Sequence, residues 1–163
     1  MSTVISSPIG QLVVVQSSGA SSVITRNNTP QLVVSSLVTA PIFRTIEIKL
    51  ISDATFLTTG DLVIWCVPED FNGLNLIDMD AFVTTASTSG KPTVTLRNIT
   101  QANSYFLTTA VTIDINETSS YTASVIPVID TANDDVATGD LIAVEVTAIG
   151  TGTKGMGVIM RFA

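Results

Sequence analysis

The sequence predicts an all-β protein: a two-sheet β-sandwich of jelly-roll type over residues 42–163, with an extended N-terminal arm over residues 1–41. Three observations predict it. About eight short runs alternate apolar and polar residues, the period of two that sends successive side chains to opposite faces of a strand. Turn residues punctuate these runs at short intervals, as in a sandwich. No segment carries a 3.6-residue apolar stripe of helix length. Long connections that must cross between the sheets favour the jelly roll.

Met1 to Pro41 is rich in Ser, Thr, Gly and Asn and carries one charge, Arg26. It holds two strand-like runs, Gln11 to Val15 and Gln31 to Val38, separated by the linker-like Ser17 to Ser22. Such a segment cannot build a core of its own, so it is expected to pair with the main sheet or dock on a partner. From Ile42 the strands become regular. Phe43 to Ile51 places Arg44, Ile46, Ile48 and Leu50 on one face and Thr45, Glu47 and Lys49 on the other. Leu62 to Val67 is apolar on both faces and reads as a central strand, ended by Pro68, which cannot donate to a ladder. Glu69 to Gly73 is a turn and Leu74 to Ala86 a long strand.

Lys91 to Thr100 is a clean strand with Val94 and Leu96 inward. Ser104 to Thr109 and Val111 to Ile115 are shorter, Asp114 to Ser120 suits a turn, and Tyr121 to Val128 is extended up to Pro127. The last third reads as an acidic loop followed by a hairpin. Ile142, Val144, Val146 and Ala148 share one face of its first strand. Met156, Val158, Met160 and Phe162 share one face of its second, opposite Arg161, and Gly150 to Gly155 supplies the turn. That turn lacks the glycine spacing and Lys-Ser/Thr pair of a phosphate loop. Thr58 to Val63 echoes Ala137 to Ile142: each places a Gly-Asp pair before a strand, which suggests equivalent strands in the two halves of a sandwich.

The 163 residues are 45% hydrophobic and 13% charged, about half the charged fraction of a typical soluble domain. This excess of apolar residues points to surface buried in an oligomer. A net charge of −7 argues against nucleic-acid binding by a basic face. No run is long and apolar enough to span a membrane, and the N-terminus lacks the charged start and apolar core of a signal peptide. With no histidine and a single cysteine, Ser-His and Cys-His catalytic pairs and His-based zinc sites are excluded. Cys66, inside an apolar run, reads as a small buried hydrophobe.

Two constellations remain. Asp78 and Asp80 lie two apart on a strand and share a face. A glycosidase needs carboxylates opposed across a cleft, so these are read as a solvated strand face or as cross-strand partners. Asp130, Asn133, Asp134, Asp135 and Asp140 offer oxygens for calcium, but without the spacing of a calcium-binding loop; turn chemistry is the simpler reading. No catalytic residue and no cofactor is expected. Trp65 reads as core, and Tyr105 and Tyr121 are the aromatic residues best suited to a surface role.

Asp70 to Leu76, Ser89 to Asn98, Val128 to Asp140 and Gly150 to Val158 resemble segments of small virion proteins of tailed bacteriophages, of the head-decoration, head-fibre and tail-associated β-sandwich type. The resemblance spans roughly residues 42–163. It implies a non-enzymatic virion component, assembled in the host cytoplasm, that joins other virion proteins through residues 1–41 and itself as a homotrimer, with neither nucleic acid nor membrane as a partner. The alternative is a carbohydrate- or receptor-binding module of a phage fibre or tail.

Overall fold

The computed structural model describes residues 43–163, together with the backbone of four short strands nearer the N-terminus. The chain separates into two compact units, Met1–Pro41 and Ile42–Ala163. In the first, β1 (Thr3–Ile5) pairs antiparallel with β2 (Val14–Gln16), and β3 (Ile24–Arg26) with β4 (Thr29–Gln31). The expected linker at residues 17–22 and almost all of the expected strand at residues 31–38 lie outside the described residues.

The second unit is built only from strands and two single 3-10 turns. Its strands are β5 (Arg44–Lys49), β6 (Gly60–Cys66), β7 (Leu76–Thr85), β8 (Thr93–Asn98), β9 (Ser104–Tyr105), β10 (Leu107–Thr109), β11 (Val111–Thr112), β12 (Val128–Ile129), β13 (Leu141–Ala148) and β14 (Lys154–Phe162). One sheet runs β11-β8-β13-β6, with β9 also on β8. The other runs β5-β14-β7, and β10 and β12 form a separate ribbon. All pairings are antiparallel.

The alternation read from the sequence sets which side chains face inward. Ile142, Val144 and Val146 of β13, Val94 and Leu96 of β8, Met79, Ala81 and Val83 of β7, and Met156, Val158, Met160 and Phe162 of β14 form one buried cluster shared by the two sheets. At one end Trp65, Phe71 and Phe162 meet with ring centroids 5.3–5.9 Å apart. This aromatic group joins β6, the turn Glu69–Phe71 and β14, so it fastens one sheet to the other.

Four expectations are corrected. First, β13 and β14 are not a hairpin: β13 pairs with β6 and β8, and β14 with β5 and β7. The Gly150–Gly155 segment therefore carries the chain from one sheet to the other. Gly150 (φ 63°) packs so closely on Ser87 that a Cβ would overlap its hydroxyl. Ser87 Oγ in turn accepts from Thr151 N at 3.0 Å. Second, β6 is an edge strand, not a central one. Its ladder to β13 skips Leu62 as a bulge. The skip leaves Leu62, Val63 and Trp65 partly buried while Ile64 and Cys66 face out. Third, Cys66 is accordingly exposed rather than buried. Fourth, the two Gly-Asp strands, β6 and β13, are neighbours in one sheet rather than equivalents in two. Gly60, which opens β6, and Gly139, just before β13, do take positive φ (110° and 88°).

Candidate functional site

The outer face of β7 gathers the first constellation. Asp78, Asp80 and Phe82 alternate with the buried Met79, Ala81 and Val83, so the carboxylates point away from the core. Across the ladder Asp78 faces Arg161 and Asp80 faces Ile159; Arg161 Nη1 lies 3.2 Å from Asp78 Oδ2. Phe82 sits opposite Gly157, and a Cβ at Gly157 would run into its ring. The ring thus covers the glycine, with Lys49 Nζ 5.0 Å from its centroid.

The free edge of β7 is met by the chain around residues 118–120. Thr118 O accepts from Val83 N at 2.9 Å, and Ser119 bridges Phe82. Ser120 Oγ accepts from Ala81 N at 3.0 Å and donates to Asp80 Oδ1 at 2.8 Å. One hydroxyl thereby satisfies a strand-edge amide and orients a carboxylate. Where the chain then leaves the edge, an open pocket of about 400 Å³ forms, lined by Asp78, Asp80, Ser120, Tyr121, Ala123, Ile126 and Pro127. Tyr121 is 70% exposed and Ile126 77%. The 3-10 turn Ser120–Thr122 replaces the start of the extended run expected from Tyr121.

The acidic loop is organised differently. Asp130 closes its own turn, accepting from Ala132 N at 3.1 Å and from Asn133 Nδ2 at 2.7 Å. The Asp134 carbonyl accepts from Leu76 N, and Asp135 bridges Asn75. Asp140 is buried, and its Oδ2 accepts from Gln101 Nε2 at 2.8 Å, Asn98 Nδ2 at 2.9 Å and Ala137 N at 3.0 Å. The loop's oxygens diverge into separate turn and strand contacts. Among the described residues no three His, Cys, Asp or Glu side chains are placed to hold a metal ion.

Two further polar groups lie apart from the pocket, one across strands of a single sheet and one between loops. On the outer face of the larger sheet Arg97 Nη2 lies 2.6 Å from Asp61 Oδ2 and Nε 3.8 Å from Glu145 Oε2, and Tyr105 donates to Glu145 at 3.1 Å. The Asp61 bond raises the Arg97 pKa, and the Glu145 bond raises that of the Tyr105 phenol. Elsewhere Lys91 Nζ meets Asp114 Oδ1 at 2.7 Å, and Ser124 N donates to Asp114 Oδ2 at 2.9 Å. Lys91 first, then the Ser124 amide, holds the Asp114 carboxyl below its ordinary range.

Tyr105 and Tyr121 are both exposed and only Tyr121 lines the pocket, while Trp65 packs on the core. Ser120, Ile126 and Pro127 carried no signal in the sequence, because their role depends on contact with a strand about forty residues earlier in the chain. Among the described residues no helix is long and apolar enough to cross a membrane. No family model, characterised protein or solved structure matches the chain.

Proposed function

We propose that the protein is a non-enzymatic structural component of a bacteriophage particle, a capsid-decoration, cement or fibre-base protein that acts by protein–protein assembly. The observation that carries the assembly reading is the set of large apolar side chains left in water. Phe43, Phe56, Ile64, Tyr121 and Ile126 are each more than half exposed. Covering the exposed part of one such side chain in an interface contributes on the order of 1–2 kcal/mol. The virion assignment rests on the segment resemblances within residues 42–163.

The sheet orders support a jelly-roll reading. The chain alternates between sheets at β5, β6, β7 and β8 and again at β13 and β14, and the Ser119 bridge adds a fourth line of chain beside β7. Orders β5-β14-β7-Ser119 and β6-β13-β8-β11 are those of two four-stranded jelly-roll sheets, an architecture found in capsid and lectin domains. Asp78 and Asp80 lie side by side on one strand, and each already has a protein partner. This fits a binding surface better than an opposed acid–base pair. In this reading residues 1–41 attach the protein to a neighbouring virion protein, and residues 42–163 form a homotrimer.

Reconstruction of the native particle tests the proposal. Density for the sandwich on the head or tail, attached through residues 1–41, is the expected result; particles that lack the chain would refute it. Light scattering on the purified protein tests the trimer separately. Three 17.1 kDa chains should scatter as one species, and a monomer mass would remove the oligomer.

A further inference from the structure

We propose that the pocket beside β7, bounded by Asp78, Asp80, Tyr121, Ile126 and Pro127, is a saccharide-binding site that takes neutral hexoses or N-acetylhexosamines. The inference stands apart from the virion reading, because either can fail without the other.

Arg161 pairs with Asp78 Oδ2 and Ser120 donates to Asp80 Oδ1. Asp78 Oδ1 and Asp80 Oδ2 receive no hydrogen bond from the described residues. A carboxylate accepts through both oxygens, so each side chain is oriented by the protein through one oxygen and presents the other. Residues i and i+2 of a strand are about 6.6 Å apart. Two carboxylates at that backbone spacing on one face can serve different hydroxyls of one ligand. The anchoring is preset: Ser120 is held by the amide of the buried Ala81 and so orients Asp80 before any ligand arrives. Such preorganisation lowers the ordering cost of binding.

The second half of the pocket is apolar. Tyr121 and Ile126 are the two most exposed large apolar side chains among the described residues, and both line it, with Pro127 and Ala123 beside them. A pyranose is amphipathic, with hydroxyls at its edge and C–H groups on its faces. A row of acceptors facing an aromatic and aliphatic wall complements both parts. The volume of about 400 Å³ lies in the range of small-molecule sites.

A lysine or arginine side chain of a partner is the rival occupant. It is less favoured because Arg161 already offsets the charge of Asp78, and because a single cation leaves most of the apolar wall uncovered. Acidic sugars are excluded by like charge: the pocket's polar side carries two carboxylates and the chain carries −7 overall.

The test is a ¹H–¹⁵N titration of the full chain with D-glucose, D-galactose, D-mannose and N-acetyl-D-glucosamine, with D-glucuronate and tetralysine as counter-probes. At least one of the four sugars should give saturable shifts confined to the amides of Asp78–Ala81 and Ser120–Ala123, with millimolar affinity, and glucuronate should give none. Tyr121→Ala, at a position too exposed to unfold the protein, should weaken that sugar about tenfold. Asp80→Asn should weaken it in the same direction. Four results would each overturn the proposal. They are no saturable shift from any of the four sugars up to about 100 mM, equal binding by Tyr121→Ala, equal binding of glucuronate, and saturation by tetralysine in place of sugar.

Discussion

Asp140 offers the sharpest test of how the fold is held. Its carboxylate is 5% exposed and one oxygen accepts three hydrogen bonds, from Asn98, Gln101 and the Ala137 amide. Asp140→Ala removes all three. The Ala137 amide and the Gln101 side chain can recover water, since neither is buried. Asn98 is 1% exposed and cannot; the two bonds its side-chain oxygen accepts from Thr100 N and Gln101 N also hold the turn after β8. Stranding a buried donor costs about 1–3 kcal/mol and losing a charge-assisted bond about 1.5–3. With water recovered at two sites, the loss should be about 3 kcal/mol. Urea unfolding reads it directly: with an m-value of about 2 kcal/mol/M the midpoint should fall by about 1.5 M, with m unchanged. Asp140→Asn can still turn one carbonyl oxygen to the three donors and should lose about half as much. A fall of less than about 0.5 M for the alanine variant would show that the carboxylate contributes little, and the reasoning would fail.

Other outcomes follow from the same structure. Val146→Asp should leave no folded protein, because it places an unpaired charge in the shared core, whereas Thr147→Asp on the exposed side should keep its circular dichroism and melting curve. Gly157→Ala should cost about 1–3 kcal/mol in urea unfolding, since its Cβ displaces the Phe82 ring and the Lys49 contact above it. Asp114 sits below its ordinary pKa when folded, so it adds stability above the ordinary carboxylate value and loses it as pH falls through the lower folded value. Asp114→Asn should therefore melt lower than the parent at neutral pH, and the difference should shrink as the pH falls through and below the ordinary carboxylate range; a pH-independent difference would remove the ion pair as its cause.

The face each strand shows to the core was legible because it depends only on local alternation. In β14, Met156, Val158, Met160 and Phe162 are buried and Arg161 exposed, as their period of two demands. The neighbour of each strand was not legible, because pairing is decided by contacts far along the chain. β13 and β14 are consecutive, yet they lie in different sheets. β6 misled for a related reason: its apolar outer residues suggested burial on both sides, but a bulge at Leu62 and the bare outer positions of Ile64 and Cys66 account for them. At the site, the sequence placed Asp78 and Asp80 on one face and singled out Tyr121 as an exposed aromatic. The wall that joins them exists only because Ser120 reaches back to the β7 edge.

The few positive charges among the described residues of this chain are already engaged within it, and that shapes how it can associate. Arg44, Lys49, Lys91, Arg97 and Arg161 each face a carboxylate within 4 Å, and Lys154 lies 4.5 Å from the Phe56 ring centroid. These are all the Lys and Arg side chains among the described residues. None is left over for a partner, while large apolar side chains such as Phe43, Ile64 and Ile126 are. Association of residues 42–163 should then be driven by apolar contact, which salt does not screen, rather than by charge pairs, which it does. Sedimentation of the purified protein at about 0.05 M and about 0.5 M sodium chloride decides between them, because the screening length falls severalfold over that range. An oligomer equally stable or tighter at high salt is expected. Dissociation at high salt would mean that the interface is built on charges these residues have already spent, and the apolar patches would lose their assigned role.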